Sequence, residues 1–219
     1  MSARGGQGRS SLAVAVARSL ASGSVGETLF IDGCTDGSAT AALLDSPSIT
    51  YDYGDVVRGV CDPADAIYPA GSGLSMMPAA ADDSFLVEQS VLDMLETVKR
   101  RFDWVILDCP SGSYWRLAAL SKGADMSVMC SRADKPGLAC AAKLRRLLPE
   151  EDERCRLAVT AFSTKELTRG SIENVDRCID TVEAMLLGVV PDDPAARAVA
   201  AANIAGRLMG KAVPLMKLK

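Results

Sequence analysis

The chain has 219 residues, 48% hydrophobic and 24% charged, with a formal net charge of -4. That balance is ordinary for a soluble globular protein with one sizeable core, and it excludes an overall basic footprint for nucleic acid. Histidine is absent, which removes imidazole acid–base chemistry and the Ser-His-Asp triad.

No apolar run approaches the roughly 18 residues of a membrane span, and the glycine-rich N-terminus does not read as a secretory signal. Seven cysteines, at 34, 61, 109, 130, 140, 155 and 178, are scattered without a Cys-x-x-Cys pair. An odd, unpaired set argues against a disulfide framework or zinc site and for small core residues in a reducing cytoplasm.

In chain order, Ser2–Ser11 comes first. Gly5, Gly6 and Gly8 lie between Arg4 and Arg9, and Ser10 and Ser11 follow. Glycines allow a concave loop with inward N–H groups, and a helix start adds orphan donors and a positive dipole end. The expected guest is a phosphate, with the Ser10 hydroxyl placed as a magnesium ligand. The bland alternative is a glycine-rich helix entry without a ligand.

A helix is expected over Ser10–Ser22, then a buried strand Thr28–Ile31 ending at Asp32. Short helices are expected over Ala39–Leu44 and Tyr53–Val60, then a short segment Pro63–Ile67 and a strand Gly73–Met77. The longest amphipathic helix is Ser84–Arg101, with Leu86, Val91, Leu92, Leu95 and Val98 on one face. Trp104–Leu107 reads as a strand ending at Asp108, and Met126–Cys130 as another before helix Gly137–Leu148. Strand Leu157–Phe162, helix Ile172–Ala184, strand Met185–Val190 closed by Pro191, and helix Ala195–Met209 complete the chain. This alternation predicts an α/β fold with a mostly parallel sheet.

Four segments carry a family resemblance. Arg4-Gly5-Gly6-Gln7-Gly8-Arg9-Ser10-Ser11 resembles the deviant Walker A loop of the MinD/ParA ATPases, Lys-Gly-Gly-x-Gly-Lys-Thr-Thr, with both lysines replaced by arginine. Asp32-Gly33-Cys34-Thr35-Asp36-Gly37-Ser38-Ala39-Thr40 resembles the family's switch I, with Cys34 where a second aspartate helps position the attacking water. Phe102–Gly112 resembles its Walker B and switch II, and Leu187-Gly188-Val189-Val190-Pro191-Asp192-Asp193 its adenine-side loop. The matches run through most of the chain, and Tyr53–Gly59 and Pro63–Ile67 also resemble MinD.

The resemblance implies a doubly wound P-loop NTPase fold, a mostly parallel sheet flanked by helices. A phosphate loop is normally launched by a buried strand, and only Met1 precedes this one. The expectation is one domain over residues 1–219 with its first strand missing, truncated at both ends.

The implied cofactors are ATP or ADP with Mg2+. The implied nucleotide contacts are Gly5, Gly6, Gln7, Gly8, Arg9, Ser10, Ser11, Gly112, Pro191 and Asp192. The implied metal residues are Ser10, Asp32 and Asp108, and the implied catalytic set is Arg4, Arg9, Asp36 and Asp108. Arg4 sits where the family's signature lysine reaches across a homodimer; Asp36 is the carboxylate left near the role lost at Cys34.

Arginine keeps the charge of lysine but presents a wide planar fork instead of a compact ammonium, and a thiol does not orient water as a carboxylate does. The expected function is therefore a cytoplasmic, ATP-binding positioning switch of the division-site, partition or pilus-assembly kind, with weak or absent hydrolysis. One alternative is a non-hydrolysing scaffold. A remoter one is a dinucleotide-binding oxidoreductase, disfavoured because the glycines do not form Gly-x-Gly-x-x-Gly after a strand. Val213–Lys219 is too short for an interfacial helix, so no membrane anchor is read from it. The protein partner is not legible.

Overall fold

A computed structural model describes residues 1–23, 26–44, 48–82, 87–149 and 153–216. The chain divides into two compact units, Met1–Arg9 with Ser111–Lys219, and Ser10–Pro110.

The Ser10–Pro110 unit is built on a four-stranded sheet. Its strands are β1 (Thr28–Asp32), β2 (Tyr68–Gly71), β3 (Leu74–Met77) and β4 (Trp104–Asp108), in the order β2-β3-β1-β4. β1 pairs in parallel with β3 and with β4, and all five of its residues are buried. A strand flanked on both edges and covered on both faces needs a continuous apolar run, and Leu-Phe-Ile supplies it.

β2 is a strand the sequence reading did not anticipate. It runs antiparallel to β3 through a hairpin whose Gly71 and Gly73 have φ of 146° and 68°, values that favour glycine. Pro69 is tolerated because β2 is an edge. Helix α1 (Arg9–Gly23) starts at the unit boundary and buries Leu12, Val14, Val16, Ala17 and Leu20. Val14 and Ala17 join Phe30, Ala39, Leu43, Leu44, Leu74 and Met76 in one apolar cluster.

Short helices α2 (Ser38–Leu43) and α3 (Tyr53–Val57) follow, the latter opened by a reciprocal Asp52–Asp55 capping box, and Pro63–Ala66 is a 3-10 turn. The long amphipathic helix is α4 (Glu88–Val98), which buries Val91, Met94, Leu95 and Val98. The Ser84–Leu86 part of its expected start lies outside the described residues.

The other unit holds a three-stranded parallel sheet, β5 (Ser127–Arg132), β6 (Cys155–Phe162) and β7 (Met185–Pro191), in the order β5-β6-β7. Where a single mostly parallel sheet was expected, the described residues form two. Met1 contributes a single parallel rung against Met129, its amino group donating to Val128 O at 2.5 Å and its carbonyl accepting from Cys130 N at 2.9 Å.

Helix α5 (Tyr114–Ser121), capped by Ser113, and helix α6 (Lys135–Arg145), capped by Asp134 with Pro136 in its first turn, pack against each other. α7 (Thr164–Thr168) and α8 (Val175–Val182) occupy part of the stretch expected to be loop and then one helix from Ile172. Asn174 fixes the later start of α8 by accepting from Arg177 N at 2.8 Å. α9 (Pro194–Leu208), capped by Asp193, closes the unit.

Candidate functional site

The glycine loop belongs to the β5-β6-β7 unit. Gly6 and Gly8 have φ of 74° and 68°, the left-handed turns that a concave loop requires. Gly5, Gly6 and Gly8 are exposed, while Gln7 between them is 4% exposed. The Gln7 side chain is the loop's internal brace. Its Oε1 accepts from Arg132 N at 2.8 Å, and its carbonyl accepts from Thr160 Oγ1 at 2.7 Å. A Cβ on Gly137 would stand 2.9 Å from Gln7 Oε1, so that glycine makes room for the brace. Gln7 is thus braced through its Oε1 and its backbone carbonyl, and its backbone N–H is the group left to face a ligand.

Arg4 is exposed and reaches Asp134 at 3.5 Å. Asp134 also accepts from Gly137 N at 2.7 Å and lies 3.6 Å from Arg132 Nε. Asp134 was not foreseen as a partner of Arg4; the Asp-Lys-Pro signature of a helix start was the available signal. With side chains 46% and 28% exposed, this pair holds Arg4 weakly and leaves it available.

In the other unit, Asp32 and Asp108 lie at the C-terminal ends of β1 and β4 as expected, and the register sets them directly opposite each other. They are 0% and 2% exposed. Asp32 Oδ1 accepts from Cys34 N at 3.1 Å, and Oδ2 accepts from Thr40 N and Thr40 Oγ1, both at 2.8 Å. Thr40 Oγ1 in turn accepts from Ala79 N at 3.0 Å. Burial raises the pKa of Asp32 above 3.8, the hydrogen bonds from Thr40 and Cys34 oppose that rise, and the nearby Asp108 adds to it.

Gly33 N donates to Asp108 O at 3.0 Å, and a Cβ on Gly33 would stand 2.7 Å from that oxygen, so the crossing tolerates only glycine. Cys34 is buried with its Sγ 3.6 Å from Asp108 O and from Cys109 O. One donor atom each from Asp32, Cys34 and Asp108 lies within 4.8 Å of the others. Asp36 is outside this cluster. It is exposed, and its carboxylate accepts from Ser38 N at 3.1 Å, which orders the start of α2.

The donor chemistry fits a magnesium ion through its carboxylates, which are hard oxygen ligands, and not through the thiol. Asp32 already accepts three protein hydrogen bonds, so Asp108 is the carboxylate better placed to hold a hydrated ion.

At the end of β7, Pro191 is buried and Asp192 exposed. Asp192 N donates to Phe162 O at 3.0 Å and its carboxylate meets Arg197 Nη2 at 2.7 Å. Gly112 is exposed with φ of 124°. A depression of about 330 Å³, unforeseen from sequence, is lined by Asp134, Lys135, Pro136, Gly170, Ser171, Ile172 and Glu173.

No family model matches the chain. It is 29% identical over 195 residues to the septum site-determining protein MinD of Bacillus subtilis, a match covering 78% of this chain and 73% of that protein. Its fold superposes on MinD of the Aquifex aeolicus MinC:MinD cell division complex with a TM-score of 0.87, at 21% identity, over 100% of this chain and 98% of that one. In sequence and in fold the chain is similar to the MinD/ParA-type P-loop ATPases. The Pyrococcus horikoshii MinD complexed with Mg-ADP is similar too, with a TM-score of 0.81 at 17% identity, covering 95% of this chain and 93% of that one. In this MinD-like chain, the switch I-like residue of the buried cluster is a thiol, and both loop cations are arginines. No described helix is long and apolar enough to cross a membrane.

Proposed function

We propose that residues 1–219 form one MinD/ParA-type domain that binds Mg-ATP and Mg-ADP and acts as a nucleotide-dependent positioning switch in the cytoplasm, with little or no hydrolysis. The observation that carries this reading is the Asp32–Cys34–Asp108 cluster, where two carboxylates are buried together and a thiol takes the third place.

The residues divide the work as follows. Backbone N–H groups of Gly5, Gly6, Gln7, Gly8, Arg9, Ser10 and Ser11 cradle the phosphates, helped by the positive end of α1. Arg9 supplies charge to the β- and γ-phosphate oxygens, and Gly112 donates to the γ-phosphate. Ser10, Asp32 and Asp108 would hold the magnesium, Asp108 most directly because Asp32 already accepts from Thr40 and from Cys34 N. Pro191 and Asp192 lie along the adenine. When bound, the metal neutralises phosphate charge.

The chain lacks a carboxylate at position 34 to hold a water in line, and Asp36 is tied to Ser38. The bound state therefore persists. The similar proteins are septum site-determining MinD proteins, one of them in a complex with MinC. A homodimer across the loop face, with Arg4 reaching the second copy, and a protein partner of that kind belong to the same proposal.

Thermal melting with and without millimolar Mg-ATP, beside a phosphate-release assay, tests it. A ligand-induced rise in melting temperature with negligible release is expected. No rise leaves the scaffold reading, which the two arginine replacements favour. Release at a rate usual for ATPases of this kind overturns the non-hydrolysing part.

A further inference from the structure

We propose that the α5–α6 face, with Trp115 at its centre, is a docking surface for an acidic segment of a protein partner. This does not rest on the nucleotide reading. Among the described large hydrophobic side chains Trp115 is the most exposed, at 74%. It is the second residue after the Ser113 cap, on the first turn of α5. Its neighbour Tyr114 is held by α6: Lys143 Nζ lies 4.6 Å from the ring centroid. The platform around the indole is thus ordered before any partner arrives, which lowers the entropic cost of binding.

The charge is one-sided. Neither Tyr114–Ser121 nor Lys135–Arg145 contains an aspartate or glutamate, in a chain of net charge -4. Lys135, Ala139 and Lys143, and Arg146 just past the helix, are all exposed and recur at helical spacing, a basic stripe with a flat centre. The nearest carboxylate in sequence, Asp134, is committed to Gly137 N, Arg4 and Arg132. An exposed tryptophan next in sequence to the tyrosine that carries Lys143 combines an apolar anchor with a basic rim, the composition of an interface. Three exposed cations are few for a phosphate backbone, whose affinity grows with the number of phosphates neutralised. One indole on an 8-residue helix is little apolar surface for membrane insertion. An acidic, partly apolar peptide uses both features.

Fluorine NMR of the full chain labelled with 5-fluorotryptophan tests this, because its two tryptophans are distinguished by Trp115→Phe. The probes are a synthetic helix-forming peptide of Glu and Leu, its Lys-for-Glu counterpart, phosphatidylserine-containing vesicles and a DNA duplex. The acidic peptide is expected to move the Trp115 resonance and leave Trp104 in place. Lys143→Glu with Arg146→Glu, and separately Trp115→Ala, are expected to weaken it at least ~10-fold. Should the charge reversal lower the melting temperature, Lys143→Gln with Arg146→Gln replaces it, with a smaller loss expected. No response at millimolar acidic peptide, an equal response to the lysine peptide, affinity unchanged in the folded variants, or a stronger response to vesicles or duplex overturns the proposal.

Discussion

Asp32 stands opposite Asp108 in the last rung of the β1–β4 ladder, and both carboxylates are buried. Two like charges so close in a low-dielectric setting are costly unless hydrogen bonds or a cation compensate. Thr40 and Cys34 N–H provide the first for Asp32, and the proposed magnesium the second for the pair.

Replacing Cys34 by aspartate restores a carboxylate to the cluster. Holding water in line contributes several kcal/mol, so turnover is expected to rise by roughly 10- to 100-fold in a phosphate-release assay. The same change should lower the melting temperature without Mg2+ and recover much of the loss with it, since a third buried negative charge needs the cation. Adding Arg9→Lys should raise turnover further, because a compact ammonium fits under the β/γ oxygens better than a planar fork.

Asp36→Ala is expected to leave any residual turnover within about two-fold of the wild type, because that carboxylate orders Ser38 at the surface. Abolished turnover would mean that the loop moves Asp36 into the vacant role, and the defect could not then be assigned to Cys34.

Gln7→Ala removes the acceptor of Arg132 N and leaves a half-buried amide unpaired. A loss of about 1–3 kcal/mol in denaturant unfolding is expected, with weaker nucleotide-induced stabilisation as the loop loses its brace. Gly137→Ala should mimic it from the other side, since its Cβ would press on Gln7 Oε1 and Arg132 O, each at 2.9 Å.

Thr40→Val deletes the hydroxyl that donates to Asp32 and accepts from Ala79 N. The expected cost at neutral pH is about 1–3 kcal/mol. The pH dependence has a definite sign. Burial already raises the folded pKa of Asp32 above its 3.8 reference, and removing a bond to the ionised form raises it more. A carboxyl with a raised folded pKa binds more protons folded than unfolded, so its contribution to stability falls as pH rises from 3.8 through the folded pKa. The gap between variant and wild type should therefore widen from acid toward neutral pH. A gap that is constant with pH would show that the lost hydroxyl matters through Ala79 alone.

The sequence by itself determined the elements whose signals are local. Leu29-Phe30-Ile31 has to be a doubly covered strand, because only such a strand tolerates an unbroken apolar run. Asp32 and Asp108 close strands that the glycine loop's spacing already singled out, and both fall at C-terminal ends. Helices α6 and α9 announce themselves by an aspartate cap and a proline in the first turn. What tertiary structure decided are the partners. β2 is a strand because β3 folds back on it through Gly71-Ser72-Gly73; Tyr-Pro-Ala-Gly alone has no strand period. Gln7 is read from sequence as one nucleotide contact among the loop's residues; its role as a brace came from Arg132 and Thr160, more than a hundred positions away in sequence. Cys34 joined Asp108 for the same reason: adjacency across a parallel ladder depends on which strands pair, and that pairing is settled by burial of the whole sheet.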